Sequence, residues 1–191
     1  MSTRFLISDH HFRHANMYRF TDSTGARVRP WAETADEADE MMIDAWNRTV
    51  GPRDTVYHLG DVAIARTGVA LLGRLNGRII LVRGNHDIFK MKDYLPYVAD
   101  IRGTHKKDRF LLSHYPLHPD SLPPWCLGCV HGHTHGAHVI RTDANGTTTR
   151  DPRYLNVCVE PLTCIPISFE EAAARLTRAR AEAGWDIPGA V

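Results

Sequence analysis

The histidines and carboxylates of this sequence gather in short clusters. The densest is VHGHTHGAH (Val130 to His138), with four histidines in nine residues. The others are SDHHF (Ser8 to Phe12), LGD (Leu59 to Asp61), GNHD (Gly84 to Asp87) and the pair Ser113-His114. Imidazole and carboxylate ligands together suit manganese, iron, zinc or nickel, and the lack of thiolate disfavours a purely structural zinc. The set is large enough for two ions with positions left for water and substrate. Asp61 stands alone in its loop and could bridge both ions with its two oxygens. Two such ions about 3.5–4 Å apart can share a hydroxide and clamp a phosphate during in-line attack. A formal surplus of about one positive charge at such a site would draw in a phosphate anion without a basic protein surface.

Each cluster follows a segment that reads as a strand. Arg4 to Ser8 runs into Asp9 and His11, and Asp54 to Asp61 ends in LGD. Arg78 to Asp87 ends in GNHD, Arg109 to His114 ends in its histidine, and Gly128 to His133 ends in GHTH. Open α/β sheets bind ligands outside the carboxyl ends of their strands, so one rule brings all five loops to one edge. Ala38, Met41, Met42, Ala45, Trp46 and Thr49 form the apolar stripe of an amphipathic helix that Gly51-Pro52 stops. Thr67 to Asn76 reads as a second helix closed by Gly77. Later, HVIRT and TTTR flank the turn Asp143 to Gly146, a hairpin signal, and Tyr154 to Glu160 is a last clear strand. Ser168 and Glu171 make a capping box that opens a helix through Ala172, Ala173 and Leu176 to near Gly184. The four-proline segment Tyr115 to Trp125 reads as a rim loop. The expected fold is one mixed α/β domain over residues 1–191, with helices covering central sheets.

Composition narrows the function classes. The chain has 191 residues, 43% apolar and 24% charged, with a formal net charge of +1. That is an ordinary globular composition, and it argues against a dedicated nucleic-acid binder, so no stable nucleic-acid partner is expected. A small phosphate substrate remains compatible. Cys126, Cys129, Cys158 and Cys164 are too few for a disulfide framework. No membrane-spanning run and no signal-peptide pattern is visible, so the expected location is the cytoplasm, without a membrane partner. Oligomeric state is not legible.

Taken in order, D-x-H (Asp9, His11), G-D (Gly60, Asp61), G-N-H-D (Gly84 to Asp87), a lone histidine (His114) and G-H-T-H (Gly132 to His135) resemble the calcineurin-like metallophosphoesterases. Each block alone is a weak signal; five in family order across residues 9 to 135 are a strong one. HFRHAN after the first block and YHLGDV at the second make the chain similar to small bacterial and phage members. The resemblance implies a four-layer αββα sandwich with two central mixed sheets flanked by helices. It implies that Asp9, His11 and His135 hold one divalent transition-metal ion. Asn85, His114 and His133 would hold the other, and Asp61 would bridge them. Manganese is favoured as the metal, with iron, zinc and nickel as alternatives. His86 would face the substrate and protonate the leaving oxygen or stabilise the transition state. The implied activity is a dinuclear metal-dependent phosphoesterase using a bridging hydroxide. Phosphodiesters such as cyclic nucleotides or other small nucleotide esters are favoured; phosphomonoester hydrolysis and nuclease action on the same site are alternatives, and a non-catalytic scaffold is a further one.

Plainer readings accompany each choice. His133 and His135, read alone, fit surface histidines in a glycine-rich loop. His10 lies between two candidate ligands, and strand alternation sends it the other way. His131 belongs to the strand and His138 to the next one. His58 sits mid-strand as a core histidine. Asp87 either orients His86 as a carboxylate partner or serves the turn. Arg13 and His14, with Asn85 and His86, are candidate substrate contacts; a solvated loop is the alternative for the first two. Cys126-x-x-Cys129 permits a small zinc site with nearby histidines, against two reduced buried thiols.

Overall fold

The structure, a computed structural model, describes residues 2–22 and 24–188. The strands are β1 (Arg4–Ile7), β2 (Thr55–His58), β3 (Arg78–Val82), β4 (Asp100–Arg102), β5 (His105–Lys107), β6 (Phe110–Ser113), β7 (Gly128–His131), β8 (Ile140–Thr142), β9 (Thr148–Arg150), β10 (Tyr154–Asn156) and β11 (Ile167–Ser168). The α-helices are α1 (Ala35–Thr49), α2 (Arg66–Val69), α3 (Met91–Tyr94) and α4 (Phe169–Glu182).

Among the described residues the strands form a five-stranded sheet in the order β11-β1-β2-β3-β4, a four-stranded sheet in the order β10-β7-β6-β5, and the β8-β9 hairpin. Strands β1 to β4 run parallel and β11 is antiparallel to β1. Strands β10, β7 and β6 run parallel and β5 is antiparallel to β6. Both larger sheets are therefore mixed. α1 packs on the first sheet, where the Trp46 ring stacks against His58 of β2. α4 packs on the second, where Leu176 closes over Gly128 of β7 and Arg180 donates to the Leu127 carbonyl. The expected layered α/β class, with sheets flanked by helices, is what the chain adopts.

Register sets the site's geometry. Ile7, His58 and Leu81 lie side by side across β1, β2 and β3, so the loops that follow leave at one height. Ser113, His131 and Asn156 do the same in the second sheet. The two sheets meet at Ser8, whose N–H donates to Val157 and whose carbonyl accepts from Val159.

The elements have local causes. Thr34 caps α1 by accepting from the Glu37 N–H, and Asp36 and Glu37 in the first turn complement the helix dipole. α1 buries Ala38, Asp39, Met42, Ile43, Ala45 and Trp46, whereas Met41 is 41% exposed. The buried face is thus centred nearer Trp46 than the stripe implies, and Met41 falls on its flank. The helix expected over Thr67 to Asn76 is α-helical only to Val69 and tightens to a 3-10 turn over Ala70–Arg74. Two glycines inside it, Gly68 and Gly73, weaken the α-helix. Gly68 is required for packing, because a Cβ there would lie 2.7 Å from the Phe12 carbonyl oxygen. Ser168 caps α4 by accepting from Glu171 N–H, as the capping box requires. The hairpin turn closes with the Asp143 side chain accepting from the Asn145 and Thr147 N–H groups. His138 precedes β8 rather than lying on it. The strands β4, β5 and β11 have only two or three residues and carry no alternation long enough to read from sequence. Among the described residues no helix is long and apolar enough to cross a membrane.

The core joins both sheets and α1, with Leu6, Ile7, Trp46, Leu81, Leu112 and Val130 fully or almost fully enclosed. Trp46 also satisfies its indole N–H on the Asn76 carbonyl at 2.9 Å. Trp46→Ala removes a large enclosed side chain and is expected to cost about 3–5 kcal/mol of stability. A urea unfolding curve checks this; an unchanged midpoint would show that the cavity collapses without penalty.

Candidate metal centre

The parallel strands of both sheets deliver their loops to one place. Asp9 and His11 follow β1, Asp61 follows β2, Asn85 and His86 follow β3, His114 follows β6, and His133 and His135 follow β7. Backbone bonds stitch neighbouring loops together. Asp9, His11 and Phe12 donate to the carbonyls of Gly60, Asp61 and Val62, and Gly132 donates to His114.

Two triads of ligand-type side chains result. One atom each from Asp9, His11 and His135 lies within 4.8 Å of the others, and the same holds for Asp61, His114 and His133. Asp61 Oδ2 lies between them, 3.5 Å from His11 Nε2 and 3.4 Å from His114 Nε2. Asp9 Oδ1 is 3.7 Å from His11 Nε2. These spacings are long for hydrogen bonds. They are short enough for both atoms of each pair to lie about 2.0–2.2 Å from a shared ion. Asp9 Oδ1 and His11 Nε2 are buried without a hydrogen-bond partner. Buried polar atoms are normally satisfied, so an orphaned carboxylate oxygen facing an orphaned imidazole nitrogen fits a missing cation. Asn85 is exposed, with its Oδ1 2.9 Å from His114 Nε2, and so joins the second triad.

The unused atoms of these groups are held from behind. Asp9 Oδ2 accepts from His133 N–H at 3.0 Å and from the Cys158 thiol at 3.2 Å. Asp61 Oδ1 accepts from His86 N–H at 2.8 Å. His114 Nδ1 donates to the Leu59 carbonyl at 2.8 Å, and His135 Nδ1 meets Glu160 Oε1 at 3.0 Å. Both rings therefore turn Nε2 toward the site, the arrangement that fixes a ligating histidine. Electrostatics follow the same pairs. Burial pushes the Asp9 carboxyl up, but His11, His114 and His135 outweigh it and hold it below the usual range. Burial pulls His135 down, but Glu160 outweighs it and raises the ring's basicity.

Glycines and strained backbone permit this crowding. A Cβ on Gly132 would collide with Asp9 Oδ2 and lie 2.5 Å from Ser8 Oγ. One on Gly84 would collide with Asp61 Oδ1, and one on Gly60 would lie 2.8 Å from His114 Nδ1. Asp9, His11, Asp61, His133 and His135 all hold left-handed backbone, with φ between 48° and 69°. Such conformations cost roughly 1–3 kcal/mol each and cluster at functional sites.

Other sequence candidates fall elsewhere. His10 points away from the triads, as alternation requires, and its Nδ1 lies 2.8 Å from His58 Nε2 in the core. His131 is buried against the Gly132 carbonyl. His86 is half-buried, its ring 5.2 Å from that of His11. His14 sits at the margin, its ring 5.6 Å from His11, and burial with the nearby His11 and His86 lowers its pKa to about 4. Asp87, weighed as a partner of His86 or as a turn residue, is buried behind the loops. Its carboxylate accepts from the N–H groups of Asp61, Val62 and Gly84, at 2.8 to 3.0 Å, and thereby ties loop two to loop three. The Arg13 guanidinium pairs with Asp36 and Asp39 of α1. All four cysteines are buried and free, and among the described residues no cysteine joins a metal-type cluster.

Two residues escaped the sequence reading. Glu160 follows β10, and the same strand-end rule would have marked it. Arg29, fully buried, donates to Glu160 at 2.8 Å and to the backbone carbonyls of Asp9 and His10. It lies in an irregular loop, where no pattern singles it out.

No family model matches the chain. The uncharacterized protein MJ1445 of Methanocaldococcus jannaschii is 33% identical over 172 residues, covering 87% of this chain and 86% of that protein. The chain belongs to the MJ1445 family. The Gene 66 protein of Mycobacterium phage D29 is 30% identical over 192 residues, covering 82% of this chain and 87% of that one. Among solved structures, the protein of unknown function AQ665 from Aquifex aeolicus superposes with a TM-score of 0.62 at 27% identity, over 91% of this chain and 99% of that chain. The chain is thus similar in sequence to an archaeal and a phage protein, and in fold to a solved bacterial one.

Gly132→Ala is expected to displace Asp9 and reduce bound manganese at least tenfold, whereas Gly136→Ala, with open space around its Cβ, leaves it unchanged. Metal content after dialysis against manganese reads both; equal loading in the two variants would refute the crowding argument.

Proposed function

We propose that residues 1–191 form one metallophosphoesterase domain of the calcineurin-like type, a dinuclear metal-dependent hydrolase of phosphate esters. The observation that carries the reading is Asp61 Oδ2, set within 3.5 Å of an imidazole nitrogen of each triad. A carboxylate so placed can serve two ions at once. Asp9, His11 and His135 would hold one, Asn85, His114 and His133 the other, with Asp61 shared. Two divalent ions supply Lewis acidity toward a phosphoryl group and activate water for in-line displacement. Manganese is the ion we favour, and the cytoplasm the compartment.

The chain's own residues supply the rest. Glu160 and Leu59 lock the imidazoles of His135 and His114, so that little reorganisation is needed when ligands bind. The His86 backbone is tied to Asp61, which holds its ring beside the triads. From there it can give a proton to a departing alkoxide oxygen, a demand that grows with a poor leaving group. Diesters are the substrates we favour over monoesters. His14, at the margin, can donate a hydrogen bond to a phosphate oxygen.

Hydrolysis of bis-(p-nitrophenyl) phosphate and of p-nitrophenyl phosphate should be compared with manganese added. The expected result is manganese-dependent turnover favouring the diester; a monoester preference would reverse the substrate choice, and inertness toward both would end the enzymatic reading. His86→Asn is expected to keep its metal and lose ~10²–10⁴-fold in kcat on an alkyl diester. Asp61→Asn is expected to lose both ions by metal analysis; retention of two per chain would refute the bridge.

A further inference from the structure

Two large aromatic side chains stand exposed on either side of the triads. Tyr115, at the start of the rim loop, is 47% exposed, with its ring 4.5 Å from that of His133 and 5.0 Å from that of His114. Phe20 is also 47% exposed, and its ring lies 5.7 Å from His14, which in turn lies 5.6 Å from His11. Rings therefore continue from the first triad to Phe20 and from the second to Tyr115. Neither aromatic belongs to the buried core. Each therefore offers an exposed ring beside the triads, one next to His14 and one next to His133. On the Phe20 side the Val28 N–H returns to the Phe20 carbonyl. Beyond that turn opens a cavity of about 420 Å³, lined by Asp22, Arg27, Val28, Thr134 and His135 among others. Its size falls within the range of small-ligand pockets.

Planar faces flanking a phosphate-cleaving centre suit a substrate with a planar group on each side of its phosphate. We infer that Tyr115 and Phe20 are stacking platforms for the two nucleobases of a linear phosphodiester joining two nucleosides. This rests on the phosphoesterase reading and narrows it. Base–aromatic stacking tolerates any sequence, because every base has a π-face. A cyclic nucleotide carries one base and can use only one platform.

The test compares thymidylyl-(3′→5′)-thymidine with its analogue lacking both bases, using full-length protein loaded with manganese. The native protein is expected to favour the dinucleotide in kcat/KM. Tyr115→Ala and Phe20→Ala each reduce that preference by about 5- to 100-fold, and Tyr115→Phe retains it. A second readout is free of turnover: isothermal titration with the methylphosphonate dinucleotide, whose Kd weakens by a similar factor in the alanine variants only. Equal kcat/KM for both diesters in the native protein, or preference for a 2′,3′-cyclic nucleotide, overturns the inference and leaves the phosphoesterase reading standing. If neither diester nor bis-(p-nitrophenyl) phosphate is cleaved, the phosphoesterase reading falls and this inference with it. Internal cleavage of a thymidine dodecamer assigns the platforms to single strands; cleavage of the dinucleotide alone assigns them to small diesters. Both support the stacking geometry.

Discussion

Two hydrogen bonds at Ser8 hold the site together. Through them the end of β1 lies alongside the residues after β10, and the two sheets are joined. Asp9 belongs to one sheet, and His133 and His135 to the other. The contact of Asp9 Oδ2 with His133 N–H exists only because the sheets are joined one residue earlier. Gly132 marks the closest approach, where any side chain would push the sheets apart. The absence of a Cβ there is thus a condition of the fold as much as of the chemistry.

Around that seam, charge is arranged to be used. Two carboxylates and several imidazoles are enclosed together, and isolated buried charge is costly unless paired. Arg29 and Glu160 offset part of that cost: the arginine reaches the carbonyls behind Asp9 and His10, and the glutamate pairs with both Arg29 and His135. Among the atoms that stay unpaired, Asp9 Oδ1 and His11 Nε2 face inward to the triads. The left-handed backbone at five of these residues is a further cost, which the stitched loops and the closed core must sustain.

Much of this was legible in the chain itself. The strand-end rule located every cluster, because parallel strands in register bring successive loops to one height. Alternation separated His10 from Asp9 and His11, and a mid-strand position marked His58 as core. The failures have physical causes. Asp87 adjoins His86 in sequence, yet backbone N–H groups from two loops capture its carboxylate, and adjacency does not reveal such long-range donors. The partners of Arg13, Asp36 and Asp39 of α1, likewise lie more than twenty residues away. Arg29 acts from an irregular loop across most of the chain's length to Glu160, and only packing brings the two together. Strands as short as β11 owe their existence to neighbours rather than to any pattern of their own.

The seam at Ser8 also has a consequence for assembly. Its partners, Val157 and Val159, are separated from it by about 150 positions, so the joint closes only after Val159 has been made. Contacts of such long range are slow to form, since the intervening loop entropy must be overcome first. Until then the first two loops carry Asp9 and Asp61 as acids without their distant imidazoles. A nascent chain halted before β10 would hold the two triads in pieces, and they would come together in a single late step.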